Sequence, residues 1–166
     1  ALFGGIIAMI LRAKKITQLP ILAKDFIRST RRIDEIKDAG ANAVLLISQI
    51  VSPQVLNQMV NYSLQVGIEP VVEIYEEIEL RNALHTNANI IAVNARNLNT
   101  MKIDINGACS QLQKIPDTKI RLGFSGVQSC NDVLQYKKAG AHGGLVGTLL
   151  MRAHCPEKLI RELKGV

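Results

Sequence analysis

The sequence predicts an α/β fold in which strands and helices alternate and neighbouring strands run parallel. Six apolar strand segments, each followed by a helical segment, recur about every 20 to 30 residues along the 166-residue chain. The strands are apolar at consecutive positions, which indicates burial on both faces of a parallel sheet. Such units build either a doubly wound sheet or a barrel, and we expect them to form one domain over residues 1–166.

Each element is predicted from its own start and stop signals. The apolar and basic segment Phe3–Lys15 predicts a helix that ends before Pro20, because proline cannot continue it. Ser52 before Pro53 predicts a helix start, and Gly67 predicts a left-handed helix end. The predicted strands are Ile21–Phe26, Ala43–Ile50, Val71–Tyr75, Ile90–Asn94, Ile120–Ser125 and Gly144–Gly147. The predicted helices between and after them are Ser29–Asp38, Pro53–Gln65, Glu76–His85, Gly107–Gln113, Cys130–Lys138 and Pro156–Lys164.

Composition excludes several classes of protein. With 48% hydrophobic residues the chain can bury one substantial core. The longest apolar run, residues 4–11, is too short to span a bilayer and lacks signal-peptide flanks, so we expect a cytoplasmic protein without a membrane partner. The net charge of +6 comes from scattered basic residues, and only three Tyr and three Phe are present. This pattern favours a small anionic substrate over nucleic acid.

Neither a disulfide framework nor a metal site is predicted. The three cysteines are widely spaced without a C-x-x-C motif, and the three histidines lack the spacing of metal ligands. No G-x-G-x-x-G motif follows the first strand, which disfavours a dinucleotide-binding sheet.

Polar residues at the ends of the strands favour the barrel. In a parallel barrel all carboxyl ends of the strands lie on one face, where the chemistry takes place. A charged side chain in an apolar strand is costly unless it is paired or faces a cavity. Polar residues end or follow five strands: Lys24, Glu73, Asn94 with Arg96, Ser125, and Thr148.

These residues suggest acid–base chemistry on an anion. Lys24 is either a general acid or a structural lysine that pairs with Asp25 or extends to solvent. Glu73 stands between apolar residues, which favours a catalytic or substrate-orienting role. Asn94 and Arg96 share one side of an extended segment and together suit a carboxylate and a hydroxyl.

Two glycine-containing turns suggest a phosphate site. The segment KIRLGFSGVQS places Gly126 next to Ser125 after a strand, and GGLVGTLLM places Gly147 before Thr148. Backbone N–H groups at such turns and at helix starts attract phosphate. A pair of these turns after the last two strands is how many barrels bind a phosphate group.

Six segments, in order along the chain, resemble the indole-3-glycerol phosphate synthase family of tryptophan biosynthesis: LPILAKDFI, AGANAVLLI, PVVEIY, IIAVNARNLNTMKID, GFSG and LVGTLLMRA. The resemblance implies a TIM barrel of the (β/α)8 family, here a partial barrel of about six parallel strands. It also implies a carboxy-lyase that uses neither cofactor nor metal. The implied reaction converts 1-(2-carboxyphenylamino)-1-deoxyribulose 5-phosphate into indole-3-glycerol phosphate, carbon dioxide and water.

The resemblance assigns a role to each matched position. Lys24 is implied as the general acid of ring closure, and Glu73 as the acid–base group of the dehydration. The implied substrate-binding residues are Phe26 against the aromatic ring, Asn94 and Arg96 at the carboxylate and hydroxyls, and Ser125 beside the phosphate. The implied phosphate-binding residues are Gly126, Gly147 and Thr148.

Three departures from the family pattern leave alternatives open. The family begins with about two further βα units, its glutamate before the turn serine is Phe124 here, and a serine after the double glycine is Ile6. We therefore expect little turnover from these 166 residues alone and self-association through open sheet edges. The alternative is a truncated, catalytically impaired barrel that retains phosphate binding only. The isomerase acting one step earlier is a weaker option, because its cysteine and aspartate pair is not found at the strand ends.

Overall fold

The computed structural model describes residues 7–165, in which helices and strands alternate. The strands are β1 (Leu22–Ala23), β2 (Ala43–Ile47), β3 (Glu69–Ile74), β4 (Ile90–Asn94), β5 (Ile120–Phe124) and β6 (Gly143–Leu145). The helices are α1 (Ile7–Ile16), α2 (Thr30–Asp38), α3 (Pro53–Val66), α4 (Glu77–Leu84), α5 (Ile105–Leu112), α6 (Cys130–Lys138), α7 (Thr148–Arg152) and α8 (Pro156–Lys164), with a 3-10 turn at Ser48–Ile50.

The first of two compact units contains residues up to Ile74 together with Arg81–Asn89. Within it β2 runs parallel to both β1 and β3, and the register places Ile47 opposite Glu73. Val44, Leu45 and Leu46 are consecutive in β2 and all are at most 1% exposed. Burial at successive positions shows that both faces of these strands are covered, as expected of a parallel sheet.

The second unit contains Tyr75–Leu80 and Ile90–Val166. Its strands β4, β5 and β6 are parallel in that order, with Asn94 opposite Phe124 and Phe124 opposite Leu145. The middle of β4 is fully buried, and helix α5 contacts both β4 and β5. The predicted α/β architecture with parallel strands is therefore confirmed within each unit.

The prediction of a strand over Ile21–Phe26 was too long, because β1 ends at Ala23. One carboxylate oxygen of Asp25 accepts a hydrogen bond from the backbone N–H of Phe26, and the other pairs with Arg32 at 2.9 Å. These bonds turn the chain out of the sheet immediately after Lys24.

Other boundaries differ by a few residues. The second strand was predicted to reach Ile50, but Ser48–Ile50 forms the 3-10 turn. Helix α7 was not predicted. The start of the predicted first helix, before Ile7, and Ile6 itself lie outside the described residues. None of the helices within residues 7–165 has the length and hydropathy needed to cross a membrane.

Candidate active site

In the first unit, Lys24 and Glu73 form an ion pair at the carboxyl ends of the strands. Lys24 directly follows β1, and its Nζ lies 3.0 Å from Oε2 of Glu73 near the end of β3. The side chain of Glu73 is 2% exposed, whereas that of Lys24 is 26% exposed. A carboxylate buried to this extent requires a partner, and the ammonium group supplies one. The pair thus joins a proton donor to a proton acceptor at the predicted position.

Asp25 is not the partner of Lys24. Its carboxylate bonds Arg32, which also pairs with Glu35 at 2.9 Å. The hydrogen bond to Asp25, followed by that to Glu35, raises the pKa of the Arg32 guanidinium. Pairing with Asp25 was one predicted option for Lys24. In the structure Arg32 pairs with Asp25, and Lys24 pairs with Glu73. Phe26, half-buried, donates its backbone N–H to Asp25.

In the second unit, Asn94 shapes the loop that carries Arg96. Asn94 is the last residue of β4 and is 5% exposed. Its Oδ1 accepts the backbone N–H of Arg96 at 3.0 Å, which closes a local turn after the strand. Nη1 of Arg96 donates to the carbonyl of Met101 at 3.4 Å. The guanidinium is half-exposed and has five N–H groups, so donors remain for an anion.

The turn after β5 is connected to the same loop. The backbone N–H of Ala95 donates to the carbonyl of Phe124 at 2.8 Å. Ser125 and Gly126 follow with φ of 68° and 83°, both in the left-handed region. Tyr136 of α6 places its hydroxyl 3.2 Å from the carbonyl oxygen of Phe124 and 3.0 Å from that of Ser125. Sequence reasoning gave Tyr136 no role, because a buried helical tyrosine carries no motif.

Helices α6 and α7 differ in how their first turns are capped. Helix α6 is closed by its own capping box, in which Ser129 and Asp132 each bond the other's backbone N–H. Helix α7 begins at Thr148 after Gly147, and no side chain within residues 7–165 caps it. Gly147 and Thr148 are both exposed. An anion at the turn after β5 would therefore meet the backbone amides of Ser125 and Gly126. The first amides of α6 are already bonded within its own cap.

A cavity of about 250 Å³ in the second unit has the wrong charge for a phosphate. Three carboxylates are among its lining residues, which are Tyr75, Glu76, Glu77, Asn94, Asp104, Gly107, Ala108 and Gln111. Within residues 7–165, no three His, Cys, Asp or Glu side chains are grouped to hold a metal ion.

Comparison with known proteins identifies a family. A family model described as indole-3-glycerol phosphate synthase matches residues 1–163. The curated protein of that name from Sulfurisphaera tokodaii is 39% identical over 150 residues, which cover 90% of this chain and 61% of the relative. Its namesake from Staphylococcus haemolyticus is 36% identical over 162 residues, covering 98% of this chain and 62% of the relative. The chain therefore spans about 60% of the length of these relatives.

Solved structures support the fold. The chain superimposes with a TM-score of 0.79 on 3-hexulose-6-phosphate synthase from Salmonella typhimurium, at 18% identity, covering 95% of this chain and 77% of that chain. Superposition on a chain of the tryptophan synthase α2β2 complex from Pyrococcus furiosus gives a TM-score of 0.75 at 16% identity, covering 100% of this chain and 77% of that chain. Identities this low show the fold alone. The predicted barrel-family α/β fold with six strands is confirmed.

Proposed function

The chain belongs to the indole-3-glycerol phosphate synthase family, and we propose that it carries the catalytic residues of a carboxy-lyase that closes an indole ring. The proposed substrate is 1-(2-carboxyphenylamino)-1-deoxyribulose 5-phosphate, and the products are indole-3-glycerol phosphate, carbon dioxide and water. The observation that carries the proposal is the 3.0 Å ion pair between Lys24 and the buried Glu73.

The ion pair suits both proton transfers of this reaction. In ring closure, the ring carbon that bears the carboxylate attacks the ketone carbon, and the ketone oxygen takes up a proton that Lys24 donates. Loss of carbon dioxide restores the aromatic ring. The new hydroxyl then leaves as water together with a proton of the neighbouring methylene carbon, and we assign this acid–base step to Glu73.

Residues of the second unit are proposed to bind the substrate. Arg96 retains guanidinium donors for a carboxylate, and Asn94 fixes the turn that presents it. The phosphate is assigned to the backbone amides of Ser125 and Gly126, in their left-handed turn, together with Gly147 and Thr148 at the start of α7. In the first unit, the ring of Phe26 is assigned to the substrate's aromatic ring. The net charge of +6 favours an anionic ligand of this kind.

The proposal also covers cofactors, location and self-association. Ring closure, decarboxylation and dehydration transfer no electrons to a carrier, and the proton transfers are assigned to Lys24 and Glu73. In line with the family resemblance, the proposal includes neither a cofactor nor a metal. We place the protein in the cytoplasm, without a nucleic-acid or membrane partner. We also propose self-association through the edge of β1 away from β2 and the edge of β6 away from β5.

The test uses a chimera, because the relatives are longer than this chain. The 150 matched residues of the Sulfurisphaera tokodaii relative are replaced by those of this chain, and product formation is followed by indole fluorescence. We expect turnover by the chimera, and a fall of at least about 100-fold on Lys24→Met. Lys37→Met, at an exposed position of α2, is the matched control and should leave turnover unchanged. Equal rates for the two variants would refute the assignment of Lys24.

A second candidate is a barrel that binds phosphate without catalysis. Phe124, 2% exposed, stands where the family pattern has a glutamate, so a carboxylate is replaced by an apolar ring. This candidate predicts that the chimera binds inorganic phosphate but forms no product. It also predicts that Phe124→Glu in the chimera raises product formation.

A further inference from the structure

The turn after β5 holds a conformation that needs support. Ser125 has a φ of 68°, in a region that costs a residue with a Cβ about 1 to 2 kcal/mol, and Gly126 follows at 83°. The carbonyl of Phe124 accepts the backbone N–H of Ala95 at 2.8 Å. The hydroxyl of Tyr136 shares its one proton between that oxygen, at 3.2 Å, and the carbonyl oxygen of Ser125, at 3.0 Å.

Tyr136 is built into this position. It is 4% exposed, and its ring lies over Gly123, where an added Cβ would come within 2.5 Å of Cδ1 of the ring. Glycine at that strand position is thus what admits the ring. Burial, with smaller contributions from Cys109 and Asp132, raises the pKa of the phenol, so the hydroxyl keeps its proton and donates at neutral pH.

The hydrogen bonds fix the direction of two amides. Among the described residues no peptide bond is cis, and in a trans peptide the N–H points opposite to the carbonyl of the same unit. Because the carbonyls of Phe124 and Ser125 point at Tyr136, the N–H groups of Ser125 and Gly126 point away from it. Carbonyl oxygens that would repel an anion are held on one side of the turn, and N–H donors are presented on the other.

We propose that Tyr136 is a positioning residue for anion binding at this turn, holding the carbonyl of Ser125 and, together with the N–H of Ala95, that of Phe124, so that the amides of Ser125 and Gly126 face a phosphate group. The proposal rests on the proposed function in one respect, that the turn is where phosphate binds. The proposal goes beyond that function because it assigns the geometry of the turn to Tyr136, a side chain of α6 outside the turn.

The test compares the chain with Tyr136→Phe and Tyr62→Phe by NMR. Tyr62→Phe is the matched control, because it also removes a phenolic hydrogen bond, to Asp34 at 2.7 Å, from the other unit. The amide signals of Ser125 and Gly126 report the turn's conformation without ligand. Their shifts on titration with inorganic phosphate report the dissociation constant.

We expect Tyr136→Phe to move the signals of Ser125 and Gly126 before phosphate is added and to weaken phosphate binding about fivefold, as for one lost neutral hydrogen bond. Tyr62→Phe should do neither. Gly123→Ala, which displaces the ring instead of removing the hydroxyl, should have the same effect as Tyr136→Phe.

Two failures are distinguishable. If phosphate shifts these signals equally in the chain and in Tyr136→Phe, the positioning role is overturned while the phosphate site stands. If phosphate shifts no signal of the turn even in the unaltered chain, the phosphate site of the proposed function is overturned, and the positioning role for an anion falls with it.

Discussion

At Glu73, a negative charge lies in a side chain that is 2% exposed, with Lys24 as its ionic partner. Glu73→Gln keeps the shape and removes the charge. Because Lys24 remains partly exposed and can be solvated, we expect a loss of about 2 kcal/mol in the free energy of unfolding, below the range for a fully buried pair. In the chimera, product formation should fall at least about 100-fold. Urea denaturation and indole fluorescence measure the two effects.

The control for Glu73→Gln makes the same change in an exposed ion pair. Glu77 pairs with Lys114 at 2.6 Å, and the two side chains are 51% and 44% exposed. Solvent screening limits such a pair to about 1 kcal/mol or less, so Glu77→Gln should change the free energy of unfolding by less than Glu73→Gln and leave turnover intact. Equal effects of the two substitutions would contradict the role assigned to the buried pair.

The cysteines should differ in reactivity with pH. Burial, aided by the charge of Asp104, raises the pKa of the half-buried Cys109 thiol, whereas Cys155 is exposed. A raised pKa leaves less thiolate at neutral pH, and the thiolate is the reactive form. We expect iodoacetamide at pH 7.5 to alkylate Cys155 well before Cys109, and the Cys109 rate to keep rising with pH beyond 9.0, where a thiol with the ordinary pKa starts to level off. Peptide mass spectrometry measures both rates, and rapid labelling of Cys109 at neutral pH would count against this expectation.

The sequence identified a functional residue where a charged side chain interrupts an apolar strand, because burying an unpaired charge costs free energy. Glu73 was singled out because a carboxylate within an apolar strand must be paired, and the structure pairs it with Lys24. The pairing of Asp25 with Arg32 was not predicted, since Arg32 reaches Asp25 only through the turn into α2. Tyr136 was missed because its contacts depend on where α6 packs, which the helical pattern alone does not specify.

At the level of elements, the start of α6 depends on a reciprocal cap. Oγ of Ser129 accepts the N–H of Asp132, and the Asp132 carboxylate accepts the N–H of Ser129. Ser129→Ala removes one of these bonds and should lower the free energy of unfolding by about 1 kcal/mol in urea denaturation. Ser110→Ala, at an exposed position inside α5, is the control and should stay within about 0.5 kcal/mol. Similar losses for both would mean that the cap contributes little.

Elements were predicted best where the signals are local. Strand β4 and helices α6 and α8 have the predicted bounds, because apolar runs, caps and proline at a helix start act within a few residues. Strand β1 came out shorter, since its end is set by bonds from Asp25 to Phe26 and Arg32. Helix α7 has only five residues. A helical repeat of apolar residues can be recognised only over about two turns, so α7 was not predicted.

At the scale of the whole molecule, burial at consecutive positions was enough to predict parallel strands. Val44, Leu45 and Leu46 in one unit and Ile91, Ala92 and Val93 in the other are each at most 1% exposed, which fits strands covered on both faces. Composition could not predict the exposed apolar side chains of α1, where Met9 is 56% and Ile16 is 86% exposed. Whether an apolar helix is covered depends on the elements around it, and hydropathy alone carries no information about them.

Self-association of the chain is the remaining expectation at this scale. Strand β6 bonds β5 along one edge, and Gly143 and Gly144 in it are exposed and carry no side chain to block a further strand. A lysine on an edge strand prevents such pairing. An added Cβ at Gly143 meets only Leu122 at 3.4 Å, an ordinary contact, so Gly143→Lys is accommodated.

By sedimentation velocity, we expect the unaltered chain to associate at micromolar concentrations. Gly143→Lys should weaken that association at least about fivefold, since like charges brought to 4 Å in water repel by about 1 kcal/mol. Gln54→Lys adds the same charge at an exposed site of α3 and should leave association unchanged. A chain that sediments as a monomer, or two lysine variants that associate equally, would exclude the β6 edge as the contact surface.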